Sequence, residues 1–242
     1  MPPPAPLEPT FLPQSKEQAI GDGHGRLFPS IRNPNWLVLR RRREIFAAGL
    51  SRLPHQELCV LDVGGRLQPY RPLLDERARR YVAVDPCVTP LVDVAAQGEA
   101  LPFRDNEFDL AICTQVLEYF PDPQQAVAEI RRVLRPGGSL FLSVPAVFIQ
   151  DNDREYWRFL PEGLRYILRK FTTVDVFAEG NSLTGIFRTI NVFAVSFMRP
   201  RFLVPVLCST VVPLLNLAAA VVERLGGSND LFAANFSVWA RK

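Results

Sequence analysis

The chain has 242 residues, 48% of them apolar and 22% charged, with a formal net charge of +3. That apolar share supplies a buried core and excludes wholesale disorder, and so small a charge gives no footprint for nucleic acid. Four cysteines without a CxxC pair, and only two histidines, His24 and His55, exclude a disulfide framework and a histidine-rich metal centre.

Six of the first 13 residues are proline, and residues 1–20 read as a disordered Pro-rich tail without the basic start and apolar run of a signal peptide. Residues 21–56 read as an amino-terminal lid. It has a turn-rich stretch at 21–36 followed by a helix at 36–50. The run Arg40–Arg43 on that helix reads as a solvated face or as a contact for phosphate or anionic lipid. From Glu57 onward, short apolar runs at 58–63, 81–84, 108–113 and 139–144 predict strands. A helix is predicted over 123–134, ended by a glycine in the turn Arg135–Gly138. A helix near 161–170, a strand near 172–178 and a last strand near 232–241 complete the reading. Strands alternating with helices predict an α/β fold with a parallel sheet covered on both faces, its core at 57–182 and its final strand within 228–242.

Leu61-Asp62-Val63-Gly64-Gly65 is a strand running into a glycine turn, where the backbone lets a ligand approach. In open α/β sheets the ligand crevice lies at the carboxyl ends of the strands. Asp85 ends the next strand about 20 residues on, where an acid holds ribose hydroxyls. A glycine turn with a later acid also arises by chance in many α/β proteins.

Four further elements follow in order: VAVD (82–85), GEALPFRDNEFDLAI (98–112), QVLEYF (115–120) and EIRRVLRPGGSLFLSVP (129–145). With LDVGG they resemble a class I S-adenosylmethionine-dependent methyltransferase of the methyltransferase type 11 family. EYWRF (155–159) is similar to an element of members associated with surface-glycan biosynthesis. The resemblance implies a Rossmann-like, mostly parallel seven-stranded sheet, S-adenosylmethionine as cofactor and no metal. It implies that Asp62, Gly64 and Gly65 hold the methionine part and Asp85 the ribose. Gln97, Gly98 and Glu99 then lie near the adenine, with Thr114 and Gln115 on the sulfonium side. Tyr156, Trp157 and Arg158 are candidate substrate residues, and Asp153, Glu118 and His24 are candidate general bases. Two departures stand out: Arg66 and Gln68 occupy positions where the family has glycine.

Residues 183–227 form an apolar insertion before the last strand, with no charge over 202–222. Its length suits a bilayer span. A single crossing would leave the last strand on the wrong side, so the expectation is a helical hairpin. The hairpin (183–225) lies in the membrane interface or packs as a lid. The activity expected is methyl transfer to a glycan, lipid-linked or small-molecule acceptor. The expected location is cytoplasmic, peripheral on the inner face of a membrane. A methyltransferase for a soluble small molecule and a non-catalytic relative of the fold are the alternatives.

Overall fold

The computed structural model describes residues 12–54, 57–150, 155–225 and 229–242. Seven strands make one sheet: β1 (Leu58–Val63), β2 (Ala78–Asp85), β3 (Val94–Ala95), β4 (Phe108–Thr114), β5 (Leu134–Pro145), β6 (Thr173–Ala178) and β7 (Asn235–Arg241). Their order is β3-β2-β1-β4-β5-β7-β6. All neighbours run parallel except β7, which is antiparallel to both β5 and β6. The expected Rossmann-like, mostly parallel sheet is therefore present. The strand order reverses between β1 and β4, which places a ligand crevice beyond their carboxyl ends.

Alternate residues of β1 feed opposite cores, as the two-residue period of a strand requires. Cys59, Leu61 and Val63 join one core with α4 (Pro123–Val133) and α5 (Pro161–Ile167). Leu58 and Val60 join the other, with Phe46 of α2 (Trp36–Leu50) and Leu27 of α1 (Lys16–Leu27). A four-residue helix, α3 (Arg71–Leu74), also lies on that side and contributes Leu74. Phe46 packs edge-on against Phe141 at 5.0 Å, and Trp239 Nε1 donates to Ile45 O at 3.1 Å.

Helix α1 corrects the expectation of a tail to residue 20 and turns at 21–36. Ser15 caps it by accepting from the Gln18 amide, and the buried stripe Ala19, Gly23 and Leu27 faces the protein. Three glycines suggested turns, but one of them serves packing: a Cβ on Gly23 would stand 2.2 Å from Leu67 O. Gly137 is likewise no helix cap. The helix ends at Val133, and Gly137, at φ +78°, lies inside the long strand β5. The strands at 81–84 and 139–144 extend to 78–85 and 134–145, α5 stops at 167, and β7 starts at 235.

The apolar insertion consists of α6 (Ser182–Phe197), α7 (Val204–Ser209) and α8 (Val211–Leu225). Asn191 of α6 donates to Asn216 of α8 at 3.0 Å, and Asn216 in turn donates to Ile31 O and Asn33 O. Val212, Asn216 and Ala219 thus face the protein at helical spacing, while Leu214, Leu217 and Val221 face outward. Ile186, Ile190, Phe193 and Phe197 do the same on α6.

Candidate active site

The glycine turn closes the carboxyl end of β1. Gly64 (φ +78°) and Gly65 both donate to Val84 O, at 2.7 and 3.3 Å. A Cβ on Gly64 would lie 2.2 Å from Val116 Cγ2, so glycine is required there by conformation and by packing. The two departures from the glycine pattern find different places. Gln68 turns inward and donates to Leu91 O at 2.5 Å. Arg66 reaches across to Asp85, with Nε 3.0 Å from Oδ2.

Asp85 is 5% exposed, and its Oδ1 also accepts the Cys87 amide at 2.8 Å. Burial raises its carboxyl above the ordinary range, against the opposing pull of Arg66 and that amide. Asp62 is buried and accepts from the Tyr81 hydroxyl at 2.5 Å; burial pushes its carboxyl to about 7, a proton Tyr81 only partly resists. Asp62 therefore holds the β1–β2 crossing, with one oxygen committed to Tyr81.

Beyond β4, Gln115 adopts φ +56°, its amide donating to Ser143 O at 2.7 Å and its Nε2 to Ser143 Oγ at 3.2 Å. Thr114 is half-buried beside it, and Gln97 is exposed. Gly98 is buried, where a Cβ would stand 2.4 Å from the Phe120 ring. Glu99 is half-buried with its carboxyl raised by burial, and its carbonyl accepts from Gln125 Nε2 at 3.3 Å. Asp62, Gly64, Gly65, Asp85, Thr114 and Gln115 thus share the carboxyl edge of three adjacent strands.

These residues fit S-adenosylmethionine on one structural ground. Asp85 is a buried carboxylate at the end of β2, and its only cationic partner among the described residues, Arg66, sits on a 30% exposed side chain free to swing out. A ribose diol would suit that carboxylate in place of the guanidinium.

The base candidates separate. Asp153 lies outside the described residues. His24 packs against Phe28 with ring centroids 5.0 Å apart and lines a cavity of about 510 Å³ with Leu67, Arg71, Arg79 and Tyr81. Glu118 is not among the residues that line that cavity, so the two candidates are not brought together there. Glu118 is 2% exposed, and its Oε2 has no hydrogen-bond partner among the described residues. Burial, helped by Glu155, pushes its carboxyl up to about 8. Glu118 is therefore a neutral acid near pH 7 and a base only above it.

The substrate candidates are tied to the same place. The amides of Tyr156 and Trp157 donate to Glu118 O at 2.8 and 3.3 Å. Trp157 Nε1 donates to Phe120 O at 2.9 Å, which fixes a half-exposed indole. Arg158 pairs with Glu155 at 2.7 Å and donates to Ile149 O.

A buried polar network beneath them carries no motif. Glu179 Oε1 accepts from Arg42 Nε at 2.8 Å and from the hydroxyls of Ser143 and Ser237, both at 2.6 Å. With its amide oxygen toward Arg42 Nη2, Asn235 accepts a further bond at 2.7 Å. The run Arg40–Arg43 thus divides. Arg40 and Arg41 meet Glu44 at the surface, and Arg43 covers Phe28, but Arg42 is 5% exposed. The signal was present as spacing: Arg42 shares a helix face with Val38, Ile45 and Phe46, all buried.

Residues 61–142 match the family model for a methyltransferase domain. Over that third of its length the chain is similar to a methyltransferase domain. Among curated relatives, an uncharacterized methyltransferase from Mycolicibacterium paratuberculosis is 36% identical over 96 residues, 35% of this chain and 38% of that protein. Malonyl-acyl-carrier-protein O-methyltransferase 1 from Coxiella burnetii is 36% identical over 134 residues, 52% of this chain and 45% of that one. The match thus spans less than half the length of these relatives.

Solved structures share the fold over nearly the whole chain. The Burkholderia thailandensis 1,6-didemethyltoxoflavin N1-methyltransferase, with S-adenosylhomocysteine bound, has TM-score 0.54 and 20% identity, covering 98% of this chain and 94% of that one. The cyclase SpnF has TM-score 0.55 and 19% identity, covering 96% and 97%. A methyltransferase and a cyclase on one fold show that the reaction is decided by side chains.

Proposed function

We propose that this chain transfers a methyl group from S-adenosylmethionine to a glycan or lipid-linked acceptor at the inner, cytoplasmic face of a membrane. Asp85 at the end of β2 carries the cofactor part of this reading. When bound, the cofactor supplies a methyl group on a positively charged sulfur, activated for in-line displacement. Asp85 orients the ribose, and the turn at Gly64 and Gly65 takes the methionine portion against the backbone. Gln115 and Thr114 line the far side, and the loop of Tyr156–Arg158 closes over Glu118 to keep water from the reacting atoms.

The outward face of α6 and α8 supports the membrane part. Its exposed residues are large and apolar, and the residues beside the tip, Arg199 and Arg201, are cationic. Arg201–Arg224 is long and apolar enough to cross a membrane, yet Asn216 is bonded to the 31–33 loop and β7 returns to the sheet. An interfacial helix pair satisfies both facts. The test supplies methyl-labelled cofactor to the full chain with membranes. Label in the lipid extract is expected. Label only in water-soluble products favours the second reading, a soluble small-molecule acceptor, which the toxoflavin-type relative suggests. No transfer at all favours a non-catalytic relative, the reading that the Arg66–Asp85 pair suggests.

A further inference from the structure

Arg188 lies on the inward face of α6 and is 6% exposed. Its Nε donates to Asn35 Oδ1 at 2.8 Å and its Nη1 to Val147 O at 3.0 Å. The guanidinium lies over the Phe148 ring, 4.0 Å from its centroid. Among the described residues it has no carboxylate partner, and its Nη2 donates to nothing. Two other arginines stand near it. Arg42 is neutralised by Glu179 and Arg158 by Glu155. Burial, with repulsion from Arg42 and Arg158 and against the attraction of Glu179, lowers the Arg188 pKa to about 9. The remaining acid of the cluster, Glu118, is kept uncharged by its own burial. The described cluster therefore carries one buried positive charge in excess. A buried cation without a counter-ion is costly, and a fork of donors with one arm unused suits a planar or tetrahedral oxyanion.

We propose that Arg188, assisted by Arg158, binds an anionic oxygen group of phosphate class on the methyl acceptor. This inference rests on the methyl-transfer reading and adds the acceptor's chemistry. Val147 and Phe148 follow directly on β5, so the anion would sit beside the carboxyl edge of the sheet, between the insertion and the candidate active site. Arg188 then belongs both to the apolar insertion and to the acceptor site, and would place a membrane-borne acceptor's phosphate below the apolar face. A free phosphorylated acceptor offers the same chemistry.

The experiment titrates inorganic pyrophosphate into the full chain by calorimetry, for wild type, the surface control Arg165→Gln, Arg188→Lys and Arg188→Gln, with circular dichroism on each. Arg165→Gln should bind within about threefold of wild type, Arg188→Lys several-fold more weakly, and Arg188→Gln at least about tenfold more weakly. If Arg188→Gln does not fold, the contrast between Arg188→Lys and Arg165→Gln decides. Co-sedimentation with phosphatidic acid vesicles, against phosphatidylcholine, separates the sources. Arg188-dependent sedimentation assigns a lipid headgroup, and pyrophosphate binding without it assigns a soluble phosphorylated acceptor. Equal pyrophosphate affinity in wild type and both Arg188 variants, or no binding by wild type, overturns the proposal. S-adenosylmethionine titrated into the same samples keeps the two readings apart: a chain that binds it but not pyrophosphate fails this inference alone.

Discussion

Arg66 Nε lies 3.0 Å from Asp85 Oδ2, so the acid expected to hold the ribose is already paired with a side chain standing where the family has glycine. The guanidinium is partly exposed and the carboxylate buried, which makes the pair a weak internal competitor. A cofactor held by Asp85 as proposed would have to break it. Arg66→Ala is expected to tighten S-adenosylmethionine binding about three- to fivefold, the worth of a partly exposed ion pair. A weaker Kd in that variant would mean that Arg66 touches the cofactor instead of blocking it.

The buried acids set a pH dependence. Glu118 rises from an ordinary 4.5 to about 8, and Asp62 from 3.8 to about 7. The folded chain therefore holds protons that the unfolded chain has released, and stability falls as pH rises from about 4 to about 8. Glu118→Gln removes one contribution. Its melting temperature should match wild type near pH 5 and exceed it by about 5–10 °C at pH 8.5, on the order of 3 kcal/mol. An equal offset at both pH values would refute the assignment of a neutral Glu118.

Gly64 answers to packing as well as to ligand. Gly64→Ala should cost about 2–4 kcal/mol, from the positive φ and the contact with Val116. Adding Val116→Ala should restore part of that loss in urea unfolding, since the second change clears the space. No restoration would place the whole cost in the backbone conformation.

Phe193→Glu with Leu214→Glu charges the outward faces of α6 and α8 without touching Asn191 or Asn216. Vesicle flotation should fall at least about tenfold while the melting temperature moves by less than about 2 °C. A large drop in stability would instead assign these residues to internal packing.

The sheet was legible because its strands are short apolar runs with turns between them, and Asp62, Gly64 and Asp85 fall at strand ends where spacing alone puts them. The insertion, expected as a two-armed hairpin, has α6 against α8 with its second arm broken between α7 and α8. Helix α1 was not legible, because Gly21, Gly23 and Gly25 read as turns until Leu67 is seen against Gly23. The network of Arg42, Glu179, Ser237 and Asn235 was hidden for a related reason. Its members are up to 195 residues apart in a chain of 242, and only the closed sheet unites them. Arg66 stands out in the sequence as a departure, but its pairing with Asp85 shows only in the fold.

Calorimetric titration of S-adenosylmethionine into wild type and Asp85→Asn decides whether Asp85 holds the cofactor. Asparagine keeps an acceptor for the Cys87 amide and removes the charge. Wild type is predicted to bind with one-to-one stoichiometry and Asp85→Asn at least about thirtyfold more weakly, the worth of charge-assisted bonds to a diol. Equal affinity in the two proteins, or no binding by wild type, would contradict the account.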